Sequence, residues 1–125
     1  MAAISDVMTA GVVTLTPDST VSDAAKVMVR GGIGSAVIVQ GKMLLGILTE
    51  RDVLRAAAAA GDLSQSRVDQ WMTPDPDTVG PDIDTEEAAG LMLSRGYRHL
   101  PVVLAGELLG MVSLRDVLSA RIAPR

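Results

Sequence analysis

Apolar positions along this chain fall into short runs and helical stripes separated by clear stop signals. Val12-Val13-Thr14-Leu15 reads as a short strand, ended by Pro17-Asp18. Val21, Ala24, Ala25 and Met28 then recur at i, i+3, i+4 and i+7, which is one face of a helix. Thr20 stands three residues before Asp23, the spacing of a capping box: the hydroxyl accepts from the Asp23 N–H and the carboxylate reaches back. Gly31-Gly32 stop that helix. Val37-Ile38-Val39 and Leu44 to Leu48 are continuous apolar runs around Gln40-Gly41-Lys42, and predict two strands buried on both faces. Thr49 opens a second helix through Val53, Leu54 and the Ala56 to Ala60 run, as far as Gly61.

The pattern then repeats. Leu44 to Leu54, LLGILTERDVL, returns as LLGMVSLRDVL at Leu108 to Leu118, an offset of 108 − 44 = 64 residues. Residues 8–56 align with 72–120 without a gap, and 18 of the 49 pairs are identical, among them Met8/Met72, Thr9/Thr73, Pro17/Pro81, Asp18/Asp82, Met28/Met92 and Gly32/Gly96. The second copy predicts the same elements: a capping box at Asp84 and Glu87, an apolar side at Ala88, Ala89, Leu91 and Met92, and a helix end at Gly96. A hairpin from Val102 to Val112 follows, turning at Ala105-Gly106-Glu107, and Ser113 opens a last helix with Val117, Leu118 and Ile122 on its apolar side. The expected fold is α+β, two β-α-β-β-α repeats at residues 5–61 and 69–122 joined by a short polar connection at 62–68. A repeat of that size is marginal alone, so the two are expected to pack as one compact module about a pseudo-twofold axis. An apolar helical face left over would favour a homodimer.

Composition narrows the function classes. The core must be aliphatic, since 48% of residues are hydrophobic but there is no Phe, one Tyr and one Trp. No apolar run approaches the roughly 20 residues of a membrane span, and no basic region followed by an apolar core marks a secretory signal. Absence of cysteine removes thiolate chemistry and disulfides and fits a cytoplasmic setting. A net charge of −4 argues against nucleic acid as a partner. With one histidine, His99, neither a Cys–His pair nor a histidine-rich metal site can be assembled. Gly31 to Gly34 lies after a helix and before a strand, the reverse of a phosphate loop. Asp75, Asp77, Asp82 and Asp84 lack the glycine and glutamate spacing of a calcium loop and read as a solvated acidic segment among prolines. Arg30 and Arg95 read as solvated charges at helix ends. No enzyme is expected, and no metal.

The repeated Gly-apolar-apolar-Thr/Ser-x-Arg-Asp junction is the one constellation with binding chemistry. It sets a hydroxyl at a strand end and an arginine and a carboxylate in the first turn of a helix, whose unpaired N–H groups carry partial positive charge. Arginine can bond phosphate, and an ionised carboxylate accepts from a ribose diol. Capping alone also explains Thr49/Asp52 and Ser113/Asp116, but it does not require Arg51 and Arg115 to recur.

Met-Thr at 8–9 and 72–73, the helix spacing, Tyr97-Arg98-His99-Leu100-Pro101-Val102-Val103 and the two junctions together resemble a pair of cystathionine-β-synthase (CBS) domains, the Bateman module, over about residues 5–122. The resemblance implies a non-catalytic regulatory module that binds an adenosyl ligand, AMP, ADP, ATP or S-adenosylmethionine, in the clefts between two motifs. It would signal through a protein partner or its own dimer and require no cofactor. It implies that Asp116 with Ser113, and Asp52 with Thr49, hold ribose. The backbone at Leu100, Pro101 and Val102 would meet the base, and Thr78 and Thr14 would flank the site. Arg98, His99, Arg115 and Arg51 would face phosphate. Tyr97 could pack on the base or wedge the sheet. Where the second copy has Arg98-His99-Leu100-Pro101, the first has Gly34-Ser35-Ala36-Val37, so the second cleft is favoured and the first, with Ser35, Ala36 and Val37, is the weaker. The rival reading is an interaction module whose Thr/Ser-x-x-Asp pairs are helix caps and nothing more.

Overall fold

The computed structural model describes residues 2–122. In chain order they form α1 (Ile4–Val7), β1 (Thr9–Ala10), β2 (Thr14–Leu15), α2 (Val21–Gly31), β3 (Ser35–Gln40), β4 (Met43–Thr49) and α3 (Glu50–Ala60). There follow α4 (Val68–Trp71), β5 (Thr73–Pro74), α5 (Thr85–Arg95), β6 (His99–Leu104), β7 (Glu107–Ser113) and α6 (Leu114–Ile122). The fold is mixed α+β with one order of elements occurring twice. The Ile122 side chain lies outside the described residues.

Compact units and sequence repeats are different partitions of this chain. One unit is continuous, Val13–Pro76; the other is split, joining the residues up to Val12 to those from Asp77 onward. The leading helix and strand of each sequence copy, α1–β1 and α4–β5, thus belong to the unit built on the other copy. Sequence reading assigned no element to either.

Glycine explains why those leading segments sit where they do. In the continuous unit β5 pairs antiparallel with β4, Gly46 opposite Pro74. A Cβ on Gly46 would lie 2.5 Å from the Met72 sulfur and 2.8 Å from the Thr73 carbonyl. In the split unit β1 pairs with β7, Ala10 opposite Gly110, where a Cβ would lie 2.6 Å from the Thr9 carbonyl and 3.0 Å from the Met8 sulfur. The repeated Met-Thr and the repeated glycine are two halves of one close approach. Neither has room for a side chain larger than hydrogen at the glycine.

Each unit then builds outward in the same way. β3 and β4 form an antiparallel hairpin, as do β6 and β7. On the far side β2 runs parallel to β3, with Thr14 opposite Val37, and α2 makes the crossover. The expected strand from Val12 is only two residues long, because Val13 is half exposed and pairing begins at Thr14. Its counterpart shrinks to a single bridge, in which Val79 N–H donates to Pro101 O at 3.0 Å and Val79 O accepts from Val103 N–H at 2.9 Å. Pro81, two residues on, has no N–H to extend that ladder.

The helical stripes supply part of each core; Leu118, expected on the apolar side of the last helix, is exposed, while Ile4 and Val68, which no stripe marked, are buried. Val21, Ala24, Ile38, Leu48, Ala56 and Val68 are buried together in the continuous unit. Ile4, Val79, Ala88, Ala89, Met92, Leu100, Val102, Val112 and Val117 do the same in the split unit. Each such Val, Leu or Ile contributes roughly 1.5–3 kcal/mol by leaving water.

Caps agree in part. The Thr20 hydroxyl accepts from Asp23 N–H at 3.0 Å, which is half of the expected box. Asp84 accepts from Glu86 N–H at 2.9 Å, one residue earlier than the expected Glu87 pairing. Asp84 still caps the helix, through the second helical N–H in place of the third. Gly32 and Gly96 end their helices at φ 62° and 74°, left-handed values that favour glycine.

The polar connection is tied down rather than free. Ser66 O and Leu63 O accept from Val21 and Ser22 N–H, satisfying two first-turn donors of α2. Val68 N–H donates to Ser19 O at 2.8 Å.

Candidate functional site

Both strand-to-helix junctions are true capping boxes, and they differ in what else the carboxylate holds. In the continuous unit Thr49 caps α3: Asp52 N–H donates to Thr49 Oγ1 at 3.4 Å, and Asp52 Oδ2 accepts from Thr49 N–H at 2.9 Å and from the Thr49 hydroxyl at 3.1 Å. Asp52 Oδ1 is taken by the Arg55 guanidinium at 2.9 Å. Asp52 is buried, 5% exposed, and the Arg55 guanidinium lies 5.6 Å from the ring centroid of Trp71, within cation–π range. In the split unit Asp116 N–H donates to Ser113 Oγ at 3.0 Å and Asp116 Oδ2 accepts from Ser113 N–H at 3.2 Å. Among the described residues no other group bonds the Asp116 carboxylate, and Asp116 is half-buried.

A groove opens beside this second junction. Arg98, His99, Ser113, Leu114, Arg115, Leu118 and Ser119 line a space of about 390 Å³. Leu114 N–H donates to Arg98 O at 2.8 Å, which clamps the start of β6 against the first turn of α6 and sets both arginines beside the same helix N-terminus. Arg98 and Arg115 are exposed, and among the described residues neither side chain has a hydrogen-bond or ion-pair partner. Two free guanidinium groups beside a helix start attract an anion.

The groove of the continuous unit, about 420 Å³, has a different lining: Ala25, Met28, Val29, Gly32, Ile33, Gly34, Glu50 and Val53. It holds one acidic side chain and no basic one. The glycine at 34 stands where the split unit has Arg98.

The other expected contacts divide as follows. Leu100, Pro101 and Val102 have buried side chains, so any contact from that strand is through backbone, and Pro101 O already accepts from Val79. Ala36 and Val37 are likewise buried in β3, with Ser35 at its start. Thr14, Thr78 and Arg51 are exposed. Tyr97 is outside the groove lining; its hydroxyl donates to Asp77 Oδ2 at 2.7 Å, and Arg95 donates to the same oxygen at 2.7 Å. These two donors hold the Asp77 carboxyl below the ordinary carboxylate range, the tyrosine first. Arg95 is therefore paired, not the solvated charge its place at a helix end suggested.

Sequence reasoning missed Leu114, Leu118 and Ser119 in the groove, and Arg55 with Trp71 at Asp52. An i, i+3 acid–base spacing marked Arg55; nothing local marked Trp71.

The family model for the CBS domain matches residues 4–59 and again 68–123. The chain belongs to the CBS-domain family. It is a tandem pair of these motifs, and its similarity to other CBS proteins runs the length of the chain. It is 37% identical to a 17.7 kDa protein of Acidianus ambivalens, across 94% of this chain and 71% of that one. Among solved structures, a CBS-domain protein of Agrobacterium tumefaciens superposes with a TM-score of 0.87 at 31% identity, covering 96% of this chain and 99% of that one. CBSX2, a CBS-pair protein of Arabidopsis thaliana, has been solved in complex with AMP. The AMP complex superposes with a TM-score of 0.87 at 27% identity, covering 98% and 97%. Among the described residues no helix is long and apolar enough to cross a membrane.

Proposed function

We propose that this CBS pair is a non-catalytic regulatory module that binds an adenosyl ligand at the split unit. The observation that carries the reading is the Asp116 carboxylate, bonded only to its own cap among the described residues, beside a groove lined by Arg98, His99 and Arg115. Asp116 accepts the ribose diol, Ser113 stands beside it, and the two arginines and His99 meet the phosphate or another anionic group. The AMP bound to CBSX2 is a ligand of that chemistry. Signalling passes through a protein partner or a homodimer. Exposed apolar residues recur at the repeat offset, Val29 with Leu93 and Leu54 with Leu118, which supports self-association through the helical faces. A cytoplasmic site of action follows from the same reading.

Thermal melts with AMP, ADP, ATP, S-adenosylmethionine and NADH test it. A ligand at 100 times its Kd adds about 2.7 kcal/mol, a shift of several degrees for a chain of this size. No shift with any of them refutes the binding reading. The second reading, helix caps without a ligand, is favoured by the complete boxes at both junctions. Asp116→Ala separates the two: a cap alone costs about 1 kcal/mol and leaves affinity unchanged, whereas a ribose acceptor loses the ligand-induced shift.

A further inference from the structure

The two carboxylates differ in how much acceptor capacity is left. An ionised carboxylate offers about four lone-pair sites. Asp52 has three donors on it, the Thr49 N–H, the Thr49 hydroxyl and Arg55. Among the described residues Asp116 has one, the Ser113 N–H. A vicinal diol brings two hydroxyls, so Asp116 can accept both, and Asp52 cannot while Arg55 stays. The residue equivalent to Arg55 is Ser119 (55 + 64 = 119), whose side chain is too short to place a cation on Asp116.

We infer that Arg55 is an internal occupant that closes the Asp52 carboxylate to a ribose diol, so that the chain takes one adenosyl ligand readily and a second only after Arg55 is displaced. This rests on the proposed ligand class, and adds stoichiometry and the residue that sets it. Arg55 is built to be held and to be released. Its guanidinium is fixed from two sides, by Asp52 at 2.9 Å and by Trp71 at 5.6 Å, yet its side chain is 58% exposed while that of Asp52 is 7% exposed. It can swing into solvent without opening the core. Once away from Asp52 it is also a free cation on the helix that begins at Glu50, able to meet the ligand's own anionic group.

The chain carries its own reporter, since Trp71 is its one tryptophan and stacks on Arg55. The experiment is calorimetric titration with AMP, followed in parallel by Trp71 fluorescence, on the unmodified chain, Arg55→Ser, Ser119→Arg and Asp116→Ala. The unmodified chain should take one AMP per chain without changing Trp71 emission, and a second, at least about tenfold weaker, that does change it; tenfold corresponds to about 1.4 kcal/mol. Arg55→Ser should tighten the second site several-fold, while the lack of an Arg98 counterpart and the acidic Glu50 keep it weaker than the first. Ser119→Arg should weaken the first site about tenfold or more, even if Arg55→Ser were to lose helix stability. Two equal sites in the unmodified chain overturn the inference, as does an Arg55→Ser chain whose second site is no tighter, or a Ser119→Arg chain that binds like the parent. Loss of the first site in Asp116→Ala shows that the ligand reading itself stands. No AMP bound by the unmodified chain removes that reading and the inference with it.

Discussion

The two units share a backbone plan and a capping box and then part in the side chains around that box. In the continuous unit the box closes on itself: the Thr49 hydroxyl and an exposed Arg55, which lies over Trp71, both bond the buried Asp52 carboxylate, next to a mostly apolar groove. In the split unit the same box is left with spare acceptor capacity next to a groove of two arginines and a histidine. Duplication kept what the fold needs, the Met-Thr against glycine and the cap at the start of each helix. The side chains beside the cap are not alike in the two units. Among the many pairs that differ, Gly34/Arg98, Glu50/Leu114 and Arg55/Ser119 lie at or beside this junction. Similar folds with unequal charge at one place are what the proposed single ready site would require.

The largest effect should come from what the units share. Gly46→Ala and Gly110→Ala each drive a methyl into a backbone carbonyl, of Thr73 and Thr9 respectively, that is fixed by strand pairing. Overpacking of this kind costs about 1–3 kcal/mol, and urea unfolding should place both variants at the upper end. A harmless Gly46→Ala with a damaging Gly110→Ala would break the equivalence of the two approaches.

Next is the contrast itself. Asp52→Ala removes a cap and frees a largely exposed Arg55 to solvent, so somewhat more than a cap's ~1 kcal/mol of stability should go. Asp116→Ala removes a cap only, about 1 kcal/mol. Ligand affinity should move the other way, lost in Asp116→Ala and nearly unchanged at the first site in Asp52→Ala. Melting curves with and without AMP read both. Arg98→Ala and Arg115→Ala should leave stability within about 0.5 kcal/mol. They should weaken ATP more than adenosine, with a difference that shrinks as salt rises.

Much of this was legible in order along the chain. Helix stops at Gly32 and Gly96 and the boxes at Thr49 and Ser113 are local signals, and the structure bears them out; the Thr20 box is half formed, and the stripes are buried except at positions such as Leu118. The exchanged leading segments were not legible, because a two-residue strand such as Thr9–Ala10 has no periodicity of its own; its place is decided by the space beside Gly110. The polarity of the second groove was legible from Arg98-His99. The closure of the first carboxylate was not, since it needs Trp71, 16 residues beyond Arg55 (71 − 55 = 16), to come under the guanidinium. Pairings across such distances follow from the packed core, not from spacing.

The smallest predicted effect concerns the aromatic expected at the base. Tyr97 spends its hydroxyl on Asp77, a residue 20 positions earlier, and Arg95 shares the same oxygen. Both donors favour the ionised carboxylate, so the folded Asp77 titrates below its ordinary value of 3.8. A group with a lowered folded value contributes stability that is fully present above the unfolded value and is lost as pH falls through the folded one. Tyr97→Phe should therefore cost a little stability at pH 7, and the difference from the parent should vanish at low pH, where Asp77 is protonated in both. It should raise the Asp77 midpoint toward 3.8 in a carboxyl NMR titration, with the remaining depression owed to Arg95. The continuous unit has Val13 and Ile33 at the equivalent positions of Asp77 and Tyr97 (13 + 64 = 77, 33 + 64 = 97) and can form no such bond. An Asp77 midpoint that ignores Tyr97→Phe would show that the tyrosine hydroxyl is free in solution. Its ring would then be available to a ligand, and the two units would differ by one more recognition element rather than by one more structural bond.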